Sequence, residues 1–433
     1  MNLLLAAAMT AVLAVPTLAA GPEVYIGVDG AKGGRTTWVL GLGPFLPDDV
    51  KSKEDTEVGR VLRDVVRGDL LFSRYFDLVE QGPTSDVTDP KAMASVWKSR
   101  GAAFLLEATA SRKDSQAVLD VKLTDLSSGE ALLSRHYRQS ADFTRSLGHR
   151  VADDIVRQMT GRRGVAGTRI AFINDQTGAK EVYVVDYDGE RPQRITNNRS
   201  INLFPRWHPD GRILAFTSYK GGNPDLFIVD LEKGRPKELS QLQGLNLAGG
   251  FSPNDNGARL AATVSRGKNP NIFIIELATG ESKRVTTQSG VEASPTFSPD
   301  GQWLAYVSDL SGNPQVYTQE LATGRTRRLT RMNWCDSPAW SPTGEWIAYA
   351  GRANVKDTFD IFLVDVAGTK TIQLTHGEGS NEDPSWSPDG RFLIFTSTRD
   401  KRRRLYMMDA DGSAPHPLGD APGNSFTPAW GLQ

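Results

Sequence analysis

The chain has 433 residues, 50 basic and 51 acidic side chains, a net charge of −1 and one cysteine. That balance offers no broad basic field for nucleic acid or anionic lipid, and a lone cysteine excludes an intramolecular disulfide. Stability has to come from burial and strand pairing, which a chain of this length can supply.

Residues 1–20 are apolar, carry Pro16, and finish in small residues, a pattern that reads as a secretory signal peptide cleaved near Ala19 or Ala20. No Lys or Arg precedes the apolar core, so only the amino terminus supplies positive charge there. An uncleaved anchor is the alternative, but Pro16 interrupts a run already short of the about 20 residues a spanning helix needs.

Residues 21–164 read as a compact α/β domain. Val24, Ile26 and Val28 alternate like a strand, Thr37 to Phe45 is a second strand candidate, and Val58, Val61, Leu62, Val65, Val66, Leu70 and Leu71 share a helical face. A short helix over 92–99, a strand over 102–108 and a hairpin of 117–123 with 131–137 follow. Phe143, Leu147, Val151, Ile155 and Met159 lie on one face of a closing helix that stops at Gly161, and 161–167 leads into the remainder, 165–433.

From there a unit of 43–46 residues recurs, marked by Trp207, Phe251, Phe297, Trp340, Trp386 and Trp430 and by Tyr183, Phe227, Phe273, Tyr317, Phe362 and Tyr406. Such a period, with four short strands per unit, predicts propeller blades. In the clearest copy the anchor strand around Trp386 reads as a short strand for the crowded ring centre. The turn Ser387-Pro388-Asp389-Gly390 then opens into the apolar run Phe392 to Phe395. The outer strand, ending in pairs such as Val285-Thr286, Leu329-Thr330 and Leu374-Thr375, reads as a weak polar edge. The first unit lacks its anchor strand and the last has little else, so one blade must join residues 169–196 to a strand from the far end. Six copies of each strand class predict six blades in a closed ring; an open solenoid would leave those half-units unmatched.

Chemistry is hard to find. The Gly-x-Ser-x-Gly elbow, phosphate loops and metal-spaced histidines are missing: His136, His149, His208, His376 and His416 are scattered, and His208 replaces a turn serine. Asp210, Asp300 and Asp389, and Asp186, Asp230 and Asp365, recur at equivalent turns, which turn chemistry explains. Cys335 reads as a small half-buried residue, and Lys401 to Arg404 as a solvated hairpin tip. No cofactor or metal is expected. The segments before the anchor aromatics read as loops opening onto one end of the channel. They mix aromatic and apolar groups with Asn, Asp and Glu, a composition suited to binding a protein. Candidate contact residues are Asn202, Leu203, Phe204, Leu245, Asn246, Glu292, Ser294, Trp334, Asp336, Asn381, Glu382, Asn424 and Phe426.

This layout resembles the TolB family of the Tol–Pal system across nearly the full chain. The resemblance rests on the leader, the Glu23 to Gly30 strand, the helix ending at Gly161, Thr168 to Phe172, Val185 to Gly189 and the repeated aromatic-Ser-Pro-Asp-Gly. Asn254-Asp255-Asn256-Gly257 and Thr343 depart from the turn pattern without touching the fold. The resemblance implies a six-bladed β-propeller behind an α+β domain, in a non-enzymatic, monomeric periplasmic scaffold. It implies that Pal, the peptidoglycan-associated lipoprotein, docks at one propeller mouth. It also implies that an N-terminal arm, residues 21–34 with Glu23, Val24, Tyr25, Ile26, Val28 and Asp29, engages the TolA C-terminal domain. The alternating pattern running into Gly30, Gly33 and Gly34 suits an arm that adds to a partner's sheet edge. The competing reading is a propeller enzyme, of the lyase or peptidase-relative type, with its active groups in the channel.

Overall fold

A computed structural model describes residues 37–45, 53–82, 89–240, 244–265, 267 and 269–431. The leader and the arm, with Glu23, Val24, Tyr25, Ile26, Val28 and Asp29, lie outside the described residues. No described helix is long and apolar enough to cross a membrane.

The N-terminal part is a mixed five-stranded sheet in the order β2-β1-β3-β4-β5. Its elements are β1 (Trp38–Leu42), α1 (Lys53–Phe72), β2 (Phe76–Val79), α2 (Pro90–Ser99), β3 (Phe104–Lys113), β4 (Gln116–Asp125), β5 (Ala131–Ser140) and α3 (Thr144–Thr160). The expected helical face of α1 is the buried one, with Val58, Leu62, Val65, Val66 and Leu70 packed inside. Gly161 closes α3 in the left-handed conformation, its N–H 2.8 Å from the Arg157 carbonyl, a cap that glycine takes without Cβ strain. β2 was not expected: four residues pair in parallel with β1, Trp38 opposite Phe76, and so short a run carries no periodic signal of its own.

Residues 161–167 are pinned in place. Both carboxylate oxygens of Asp153 on α3 accept backbone N–H groups, from Ala166 and Gly167, at 2.9 Å. The core runs on across this junction. Phe72 packs with its ring centre 4.5 Å from that of Phe392, tilted, and 4.9 Å from that of Tyr187, edge-on, and the Arg391 guanidinium lies 3.9 Å over the Tyr75 ring.

Six four-stranded antiparallel sheets form the propeller. The first blade contains β6 (Arg169–Asn174), β7 (Glu181–Asp186) and β8 (Gln193–Arg194), and its innermost strand is Ser425–Trp430 from the opposite end of the chain. Phe426 faces Ile173 and Trp430 faces Ile170 in that pairing. The other innermost strands are Asn202–Trp207, Asn246–Phe251, Glu292–Phe297, Trp334–Trp340 and Asn381–Trp386. Each touches the next around the axis, and the last touches the first.

Two anchor aromatics tie neighbouring blades together and a third fastens the closing strand to the residue before β6. Trp207 Nε1 donates to Ala429 O and Trp386 Nε1 to Ala339 O, both at 3.0 Å, and Trp430 Nε1 to Thr168 Oγ1 at 2.8 Å. The irregular turns keep the same chemistry. Asp255 takes the Ser252 hydroxyl as Asp389 takes that of Ser387, and Thr343 pairs with Ser341 at 2.9 Å.

The Val-Thr and Leu-Thr pairs are not an exposed edge. Thr196, Thr286, Thr330 and Thr375 are buried just past the outer strands. Their hydroxyls accept the N–H of Val182, Ile272, Val316 and Ile361 at 2.8–2.9 Å. Cys335 is fully buried rather than half-buried, and burial pushes its thiol up to about 11.

Candidate functional site

The segments expected to be loops at the channel mouth are the first residues of the inner strands. In each the strand starts at the mouth and runs to the anchor aromatic, and a bulge interrupts its pairing midway. At five bulges a non-glycine residue has positive φ and precedes a proline: Phe204, Ser294, Ser337, Asp383 and Thr427, with φ between 44° and 56°. The proline cannot donate to the ladder and marks the bulge. Blade three has Gly249 at the proline position, where a Cβ would lie 2.5 Å from Pro295 and 2.6 Å from the Ala261 carbonyl oxygen.

Four of the thirteen expected contact residues point inward. Asn202, Asn246, Glu292 and Asn381 are fully buried, which corrects their assignment to an exposed surface. Three of them fasten one blade to the next. Asn202 Nδ2 donates to Lys180 O at 2.8 Å and to Glu181 Oε2 at 3.1 Å. Glu292 accepts from Asn271 Nδ2 at 2.6 Å, and Asn381 donates to Asp360 Oδ1 at 3.2 Å. Asn424 is also held, its N–H and Nδ2 donating to both oxygens of Asp175 at 2.7 and 3.0 Å.

Leu203, Phe204, Leu245, Ser294, Asp336, Glu382 and Phe426 are half-buried at the mouth. Phe426 lies beneath Lys180 Nζ at 4.6 Å and the Arg403 guanidinium at 5.6 Å, and Arg403 pairs with Glu382 at 3.2 Å. The basic hairpin tip is tied down as well, Arg402 donating to Ala421 O and Gly423 O at 2.9 and 3.0 Å. Trp334 stands 37% exposed with Arg352 over its ring at 5.5 Å.

Exposure adds four apolar residues to Trp334, already a candidate. Of the six large hydrophobics exposed among the described residues, five lie on this rim. They are Ile201, Val291, Leu310, Trp334 and Val355, and Val355 reaches 70%. Periodicity gave no hint of them, because each falls in a turn or at a strand end. Below the rim the channel holds a cavity of about 360 Å³ lined in part by Arg206, Ser294, Ser337, Asp383 and Thr427. Ser337 Oγ donates to Asp383 Oδ1 at 2.9 Å. Burial outweighs that bond and the Arg206 charge, and with Glu382 and Asp336 nearby it pushes the Asp383 carboxyl up to about 6. Burial likewise raises Asp336.

The N-terminal domain meets the propeller at the other ends of these strands, at Tyr187, Arg391, Phe392 and Asp409. Inner strands of six or seven residues set the two faces about 20 Å apart. Fold and rim together define a propeller whose open mouth is an exposed apolar and charged surface, backed by a fused α+β domain.

Residues 156–433 match the family described as TolB beta propeller domain, and the chain belongs to that family. Curated relatives include the Protein TolB homolog of Chlorobium chlorochromatii, 35% identical over 46% of this chain and 45% of the relative. The Tol-Pal system protein TolB of Geobacter sulfurreducens is 34% identical over 40% and 41%. The chain thus matches less than half the length of these relatives. The crystal structure of TolB from Acinetobacter baumannii superposes with a TM-score of 0.77 at 26% identity, covering 91% of this chain and 96% of that one.

Proposed function

We propose that this chain serves as a Tol–Pal system component, a non-enzymatic periplasmic scaffold. In this reading the rim binds the Pal lipoprotein and residues 21–34 bind the TolA C-terminal domain, coupling envelope layers for outer-membrane integrity and constriction at division. The carrying observation is the set of exposed apolar side chains that the second, fourth and fifth blades bring to one propeller mouth, the kind of surface that marks a partner site. Relatives named for the Tol–Pal system support the choice of partner. Half-buried Leu203, Phe204, Ser294, Asp336, Glu382 and Phe426 form the inner border of the same surface.

The test is calorimetric titration with the soluble domain of Pal. Trp334→Ala is expected to weaken binding by ~1–3 kcal/mol, and Val355→Asp to weaken it further by placing a charge in the apolar contact. Unchanged affinity in both variants would remove the rim from the interface. For the arm, deleting residues 21–32 is expected to abolish capture of the TolA C-terminal domain with the melting temperature held. Undiminished capture would refute that contact. The enzyme reading draws on Asp383, a carboxyl raised to about 6 beside Arg206. A hydrolase or lyase activity of the purified protein, lost in Asp383→Asn, would establish it instead.

A further inference from the structure

One cluster of ligating side chains stands apart from the rim, at the junction of the two domains. His149 on α3 is 2% exposed, and Asp69 on α1 holds its Nδ1 at 2.8 Å. That contact turns Nε2 across the junction toward the turn that follows β7. There Asp188 Oδ2 lies 3.7 Å away and Asp186 Oδ2 3.9 Å. Both separations are too long for a hydrogen bond, and Nε2 is buried without a hydrogen-bond partner. The three ligand atoms lie within 4.8 Å of one another.

Ligands each about 2.0–2.2 Å from a shared zinc-like ion stand roughly 3.3–3.8 Å apart at tetrahedral or slightly wider angles. The His149-to-Asp188 spacing of 3.7 Å falls within that range, and the His149-to-Asp186 spacing of 3.9 Å lies just beyond it, so a bound ion would draw Asp186 slightly inward. Asp69 supplies the carboxylate that fixes the tautomer of a ligating histidine and raises its basicity. We propose that His149, Asp186 and Asp188 form a binding site for a divalent transition-metal ion, zinc by its donor set, which bridges α3 to the first blade.

In this proposal Asp186 is a ligand as well as a turn residue, and the fold brings one of the scattered histidines to two carboxylates. A cleft of about 830 Å³, lined by Ser146, His149, Thr168, Asp186 and Arg191, opens beside two of the three ligands, and Asp188 lines a neighbouring cavity of about 290 Å³. Arg191 lies 2.6 Å from Asp186 Oδ2 and Arg145 pairs with Asp188 Oδ2, so the ion shares both oxygens with guanidinium groups. Asp69, Asp186 and Asp188 against those two cations leave a single negative charge around an imidazole that must be unprotonated to bind the ion. Hard ions held by charge, such as calcium and magnesium, gain little there, and the imidazole bond selects zinc.

The experiment is titration of the untagged protein with zinc chloride in excess magnesium, read by calorimetry and by thermal shift. Wild type is expected to show one saturable site and a raised melting temperature. His149→Ala and Asp188→Asn are each expected to lose at least tenfold in affinity, together with the thermal response. Asp188 is partly exposed, so Asp188→Asn keeps the test valid if His149→Ala does not fold. Absence of a saturable site overturns the proposal. So does zinc binding that survives in Asp188→Asn, which would place it at surface pairs such as His136 with Asp120.

Discussion

Asp383 shows how one position can combine backbone strain, burial and charge. Its positive φ sets it at a bulge of the inner ring, and burial there raises its carboxyl to about 6 from an ordinary value near 3.8. The folded protein therefore holds a proton that the unfolded chain releases. The stability linked to that proton is fully present below about pH 4 and is lost as pH rises through about 6. Asp383→Asn is expected to flatten this decline and to be more stable than wild type at pH 7 by ~1–2 kcal/mol, after allowing for solvent in the channel. Urea midpoints at pH 4.5 and pH 7 measure it, and the same pH slope in both proteins would refute it. Composition placed polar residues at this mouth. Which of them face outward depends on a bulge, whose signature is a proline two residues before an anchor aromatic, as in Pro384-Ser385-Trp386.

At the scale of elements, the apolar second strands and the helices were legible because their periods are strong. Phe392–Ser397 is buried throughout and α1 hides the face its spacing predicts. The inner strands were expected at their anchor aromatics, but their first halves read as loops, because Asn381-Glu382-Asp383-Pro384 lacks any apolar alternation. Such a strand is stabilised by its neighbours, through pegs such as Asn381 to Asp360, and no window of sequence contains both partners. The threonine pairs were misread for the same reason, since their burial depends on the following blade. Thr330 Oγ1 accepts from Val316 N and donates to Gln315 Oε1, both at 2.9 Å. Thr330→Val strands that buried N–H and is expected to cost ~1–3 kcal/mol in urea denaturation. Thr330→Ser keeps the oxygen and is expected to cost clearly less. Equal losses would mean that the methyl contact, rather than the hydrogen bond, secures the outer strand.

For the whole molecule, the decisive clue was the mismatch between the two ends of the repeat, because a missing strand at one end and a spare one at the other can be satisfied only by closing the ring. Phe426 opposite Ile173 and Trp430 opposite Ile170 make that closure, and Trp207 leans on it through Ala429 O. The same strand also bonds Thr168, beside the segment that Asp153 pins to the N-terminal domain. Closure and domain docking thus share one element. The junction was not legible, because His149, Asp69 and Asp186 are far apart in the chain and belong to elements of different periodicity. Removing residues 425–433 is expected to do more than fray a terminus. Trp430 alone buries on the order of 200 Å², worth about 5 kcal/mol at about 25 cal/mol per Å². The truncated protein should lose its cooperative transition in both the propeller and the N-terminal domain, followed by tryptophan fluorescence and far-ultraviolet circular dichroism. An N-terminal domain that still melts at its original temperature would show that the last strand closes the ring without carrying the junction.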